Sequence, residues 1–149
     1  MTITEVLPGV YVGNQFDACD AAMFRERRIT RVVNCTPDVP FYFAANVDYM
    51  RIPVQDSILD VDNDAMARAL PGALQFIFRD LPTENNGVLI HCHAGVSRSC
   101  TVAAAAIRLC CARDIPQAIG LCLSRRPQAF FRGTQVNFAA ALHTVFPSG

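Results

Sequence analysis

Nine residues, His91-Cys92-His93-Ala94-Gly95-Val96-Ser97-Arg98-Ser99, stand between two apolar segments of different period. Before them, Val88-Leu89-Ile90 is a continuous apolar run of the kind that forms a strand buried on both faces. After them, residues 100–112 carry an apolar helical pattern. A buried strand that turns at once into a helix commits the chain to packed layers of helix and sheet. The turn leaves several backbone N–H groups facing one concavity, and the positive end of the helix dipole faces the same point, which makes an anion site. Arg98 adds a planar fork of donors that matches two oxygens of a phosphate. A cysteine on the floor of that cradle, Cys92, is favoured as thiolate, the nucleophilic form. An anion cradle that holds a thiolate is suited to attack on phosphorus.

The rest of the chain alternates strands and helices. Pro8-Gly9 divides a short hairpin whose second strand is Val10–Gly13. Residues 17–28 read as a helix with Asp17 as N-cap. Arg31–Cys35 and Tyr49–Val54 read as strands, separated by a loop rich in proline and aromatics. A helix is expected over about 63–80, entered through Asp60, Asp62 and Asp64, with a kink or restart at Pro71-Gly72. Gly87–His91 is the buried strand, and helices follow at about 98–112, 115–125 and 134–145. This alternation predicts a central, largely parallel sheet covered on both faces, with the loop after Gly87–His91 at the carboxyl end of the sheet. With no repeat, linker or low-complexity segment, residues 1–149 are expected to form one domain.

His-Cys-x-x-Gly-x-x-Arg-Ser resembles the signature of the cysteine-dependent protein tyrosine phosphatases, and Ala-Gly-Val-Ser-Arg-Ser resembles their dual-specificity branch; with no second domain read, the chain looks like the small atypical members of that branch. Leu7–Gly13, Arg31–Thr36 and Tyr49–Asp56 look like successive strand motifs of that family, in the family's order. The resemblance spans about residues 5–145. It implies a three-layer α/β/α fold around about five strands. It also implies hydrolysis of phosphotyrosine and phosphoserine/threonine in proteins through a phosphocysteine.

Such a reaction needs an acid for the leaving oxygen, and that acid then reclaims a proton from water. The family's acid corresponds to Asp56 in Ile-Pro-Val-Gln-Asp-Ser. The segment from Asp56 to Cys92 is longer than usual for the family, so Asp60, Asp62 and Asp64 are the alternatives. Their other reading is as carboxylates that complement a helix N-terminus. His91, by the same resemblance, fixes the loop and supports the thiolate without acting as base. Ser99 caps the following helix or donates to Cys92. Gly95 permits a tight turn, and the amides of His93, Ala94, Gly95, Val96, Ser97 and Arg98 bind phosphate. His93 either lines the rim and touches substrate or is simply exposed. Arg126, with Arg125, either holds a second phosphate near the pocket mouth or ends a solvated helix. The family's Arg-Pro-x-x-x-Pro-Asn is replaced here by Arg126-Pro127-Gln128-Ala129-Phe130-Phe131-Arg132-Gly133, and Phe130, Phe131 and Arg132 are candidates for a wall beside the site. In some relatives a cysteine at the position of Cys35 traps an oxidised nucleophile as a disulfide, whereas most free cysteines are buried small hydrophobes.

Composition narrows the alternatives. Hydrophobic residues make up 52% and charged residues 17%, as in a compact globular protein. Formal net charge is zero, which disfavours nucleic acid as a partner. All 13 basic residues are arginine. The lysine-free phosphate loop argues against phosphoinositides, and the lack of a carbohydrate module argues against glucans. A non-catalytic phosphoprotein-binding module would normally lack the nucleophile, which is present here. The 7 cysteines show no CxxC or metal-ligand spacing, so neither a disulfide framework nor a zinc site is expected. No cofactor or metal is expected, since arginine and amides neutralise the charge. No signal peptide, membrane anchor or lipidation motif is read, so an intracellular, cytoplasmic location is expected, with the nucleus equally open.

Overall fold

The structure is a computed structural model and describes residues 3–130 and 137–149. Its centre is a sheet of order β1-β2-β5-β3-β4. The strands are β1 (Thr4–Leu7), β2 (Val10–Gly13), β3 (Ile29–Asn34), β4 (Asp48–Arg51) and β5 (Gly87–His91). Among the described strands of this sheet, the β1–β2 hairpin is antiparallel and the other pairs are parallel. The period-2 alternation of strands sorts the side chains to two faces. On β5, Val88 and Ile90 enter one core while Leu89 enters the other, and on β3 Val33 and Val32 divide the same way.

Four helices cover the first face: α2 (Asp60–Phe78), α3 (Arg98–Cys110), α4 (Ile115–Arg125) and α5 (Ala139–Val145). The second face is covered by α1 (Ala21–Glu26) and by Phe43 and Val47 of the loop before β4. This is the expected three-layer α/β/α arrangement. The run Ala103–Ala106 of α3 is wholly buried, because alanines let the helix lie close to the sheet.

β5 enters between β2 and β3, which were already laid down with α1 between them. The register levels their ends, since His91 pairs with Gly13 on one side and Asn34 on the other. Every chain leaving these three strands therefore emerges at one edge, where open α/β sheets place ligands.

Several local expectations give way to tertiary context. Asp17 does not cap the helix. It lies buried in a 3-10 turn (Asp17–Cys19), accepting a hydrogen bond from Asn14 N at 2.8 Å, while Asp20 caps α1 through Met23 N at 3.1 Å. Helix α2 begins three residues earlier than expected and runs through Pro71 without a restart. Pro71 lies on the exposed side, where water can take the carbonyl it leaves unpaired, while Met66, Leu70, Ala73, Leu74 and Ile77 hold the inner stripe. The far end of α2 is fastened by the buried Arg31 of β3, which donates to Ile77 O at 2.9 Å and Asp80 O at 2.6 Å. β4 stops at Arg51, short of the expected Val54. The helix expected over 134–145 is observed as Ala139–Val145, and residues 131–136, with Phe131 and Arg132, lie outside the described residues.

Candidate active site

The segment between β5 and α3 forms a cradle around Cys92 Sγ. Gly95 N donates to that sulfur at 3.3 Å, and Ser99 Oγ lies 3.2 Å from it. Gly95 takes φ +72°, and a Cβ there would meet Gly13 O at 2.7 Å, so only glycine fits the turn. No side chain caps α3: its N-cap Ser97 makes no capping hydrogen bond. The positive end of the helix is thus left to whatever the cradle holds.

Arg98 opens α3 and is buried. Its Nη1 donates to Val54 O at 2.9 Å, which ties the cradle to the chain leaving β4. Its Nε is buried and has no hydrogen-bond partner among the described residues. A buried guanidinium N–H without a partner is costly, and an anion in the cradle is the partner that would satisfy it.

The carboxylates at and just before the start of α2 divide. Asp56 stands two residues past Val54, is exposed, and accepts from Asn137 Nδ2 at 2.8 Å. Asp62 folds the same loop by accepting from Gln55 N at 3.3 Å and from Ser57 Oγ. Its carboxylate is spent on loop shape rather than on capping. Asp60 and Asp64 are exposed on the first turns of α2.

Residues 10–140 match the family model described as dual specificity phosphatase, catalytic domain. The chain belongs to this family. It is 32% identical over 126 residues to dual specificity protein phosphatase Mpk3 of Drosophila melanogaster, covering 83% of this chain and 29% of that protein. It is 37% identical over 103 residues to human dual specificity protein phosphatase 9, covering 68% of this chain and 26% of that one. The chain therefore spans less than a third of the length of these relatives. Among solved structures, the human tyrosine phosphatase-like serine/threonine/tyrosine-interacting protein superposes with TM-score 0.81 at 21% identity, over 99% of this chain and 97% of that one. The phosphatase domain of Yvh1 from Chaetomium thermophilum superposes with TM-score 0.79 at 22% identity, over 99% and 97%. These two likenesses show the fold.

Within this dual specificity phosphatase domain, other expected site residues are placed differently. Arg126 is not at a pocket mouth. It is buried beneath the cradle, donating from Nε to Gly95 O at 2.7 Å and from Nη1 to Thr4 Oγ1 at 2.8 Å. Arg126 directly follows the last residue of α4, and its guanidinium braces the turn from inside. Arg125 is exposed and donates to Val6 O of β1. Phe130, one of the candidates for a wall beside the site, is fully buried, and its N–H donates to Val96 O of the cradle.

His91 is fully buried, with Nδ1 3.4 Å from Cys92 O. Burial holds its pKa down at about 4, so the ring is neutral at pH 7. Cys35 is buried at the end of β3, where its N–H donates to His91 O at 2.8 Å. Burial first, and the neighbouring Cys92 second, push its thiol well above the ordinary value. His93 sits at the rim with Nε2 2.7 Å from Asp38 Oδ1. That hydrogen bond holds the Asp38 carboxyl below its usual range.

Sequence reasoning missed Asp38 and Asn137. Asp38 had a signal, since it follows the end of the strand beside β5. Asn137 had none, as 81 residues separate it from Asp56.

Proposed function

We propose that this domain hydrolyses phosphotyrosine and phosphoserine/threonine in proteins through a phosphocysteine intermediate. The observation that carries the reading is the pairing of a sulfur, Cys92 Sγ, held by Gly95 N and Ser99 Oγ, with the unpartnered Nε of buried Arg98. A phosphate dianion in the cradle meets the amides of His93 through Arg98 and the Arg98 fork. In the first step the Cys92 S–P bond forms, the P–O bond to the leaving group breaks, and Asp56 gives its proton to the leaving oxygen. In the second step water attacks phosphorus, the P–S bond breaks and Asp56 takes the proton of the water. The charge spread over the transferring oxygens is met by fixed dipoles and Arg98 in both steps. Ser99 donates to the sulfur and helps it leave. Neutral, buried His91 shapes the loop rather than moving protons.

His93 contributes from the rim, with Asp38 holding its ring across the entrance. The substrate is a phosphoprotein, for which the exposed Asp56 loop and the His93 rim offer contacts on either side of the phosphate. No helix among the described residues is long and apolar enough to cross a membrane. Cys35 is the proposed redox partner: peroxide converts the Cys92 thiolate to sulfenic acid with loss of hydroxide. The Cys35 thiol then attacks that sulfur, forming the S–S bond and releasing water.

The test is hydrolysis of phosphotyrosine and phosphothreonine peptides by wild type, Cys92→Ser and Asp56→Asn. Cys92→Ser is expected to lose at least about a thousandfold in kcat. Asp56→Asn is expected to lose about a hundredfold on these poor leaving groups. Turnover surviving in Cys92→Ser rejects the mechanism.

A further inference from the structure

The carboxamide of Asn137 stands one residue before Phe138, the N-cap residue of α5, and is half-buried. Its Nδ2 donates to Asp56 Oδ1 at 2.8 Å. Its own Oδ1 is buried and has no hydrogen-bond partner among the described residues. An asparagine serving a structural network would have that acceptor satisfied, since leaving it unmet costs about 1–3 kcal/mol. Here the amide makes one polar contact across the molecule, and that contact is to the candidate acid.

The surroundings fasten both partners. Phe138 is fully buried in the core under α5, and Ala141 N donates to Asn63 Oδ1 of α2 at 2.9 Å. On the other side, Asp62 holds Gln55 N and Ser57 Oγ, the residues flanking Asp56. Asn137 is thus anchored to α5, Asp56 to the start of α2, and the two helices to each other.

Resting on the reading of Asp56 as the acid, we propose that Asn137 is a positioning residue that keeps the transferable proton of Asp56 on Oδ2. A carboxyl that accepts at Oδ1 carries its proton on the other oxygen. In the first step Oδ2 gives that proton to the leaving oxygen as the S–P bond forms and the P–O bond breaks. In the second step Oδ2 receives the proton of water as the O–P bond forms and the P–S bond breaks. Oδ1 keeps the same donor throughout, so one oxygen both gives and takes the proton without the side chain turning.

The experiment compares Asn137→Ala, Asn137→Asp and Asp56→Asn on two substrates. One is phenyl phosphate, whose leaving group needs protonation. The other is a polyfluorinated aryl phosphate, whose leaving group does not. Asn137→Asp keeps the size of the side chain but removes the donor. Both Asn137 variants are expected to lose about tenfold in kcat on phenyl phosphate and less than about twofold on the fluorinated ester, with KM unchanged on both. Wild-type kcat on phenyl phosphate in both Asn137 variants, alongside an impaired Asp56→Asn, overturns the proposal and leaves the acid in place. Equal losses on both substrates, or a raised KM, overturn it in favour of a structural role. Full activity of Asp56→Asn on phenyl phosphate removes the acid itself, and this inference with it.

Discussion

At the residue scale, Cys92 and Cys35 show how one side-chain type is made into two reagents by its surroundings. Cys92 has an amide and a hydroxyl on its sulfur at the mouth of a helix. Cys35 lies fully buried at the end of the neighbouring strand, where desolvation disfavours its thiolate. A neutral thiol is a slow nucleophile, so in the proposed trap Cys35 would react only with an already oxidised, electrophilic sulfur. After a short peroxide exposure, a thiol reductant is expected to restore several-fold more activity to wild type than to Cys35→Ser, whose sulfenic acid runs on to irreversible forms. Equal recovery of the two proteins would exclude the trap. Such a residue is half legible in sequence: its place at a strand end can be read, its burial cannot.

At the scale of elements, the cradle depends on what lies under it. Arg126 ends α4 and donates to Gly95 O, while the same carbonyl also accepts from Cys100 Sγ at 3.6 Å. The arginine is buried, so its removal strands polar groups that no water reaches. Arg126→Lys is expected to destabilise the fold by about 3 kcal/mol, because a single ammonium cannot replace a planar fork that reaches two elements at once. The reading is the urea midpoint, with phosphate affinity expected to fall in the same variant. A residue contacting only substrate at the pocket mouth would leave the unfolding free energy within about 0.5 kcal/mol of wild type. The sequence placed this arginine correctly at the end of a helix. It could not show that the helix end turns inward, because exposure is a property of packing and not of position along the chain.

For the molecule as a whole, His91 links the site to acid stability. The native state keeps the ring neutral down to about pH 4, whereas the unfolded chain protonates it near pH 6.5. Unfolding therefore takes up a proton below pH 6.5, and stability present above that pH is lost as pH falls towards 4. The loss is up to about 3 kcal/mol. Urea midpoints at pH 7 and pH 4.5 are expected to fall further for wild type than for His91→Asn, and parallel losses would clear His91 of the effect. The sequence by itself determined the layered fold, the strand–cradle–helix unit and the place in it of the candidate nucleophile and arginine. Each of these is written in local period and spacing: a continuous apolar run on β5, a helical stripe after Ser99, and a fixed interval from Cys92 to Arg98. Only the tertiary structure decided which carboxylate shapes the loop and which face solvent, that Arg126 lies beneath the cradle, and that Asn137 meets Asp56. Those contacts join residues far apart in the chain, and their partners are chosen by how α2, α4 and α5 pack against the sheet, which no local pattern encodes.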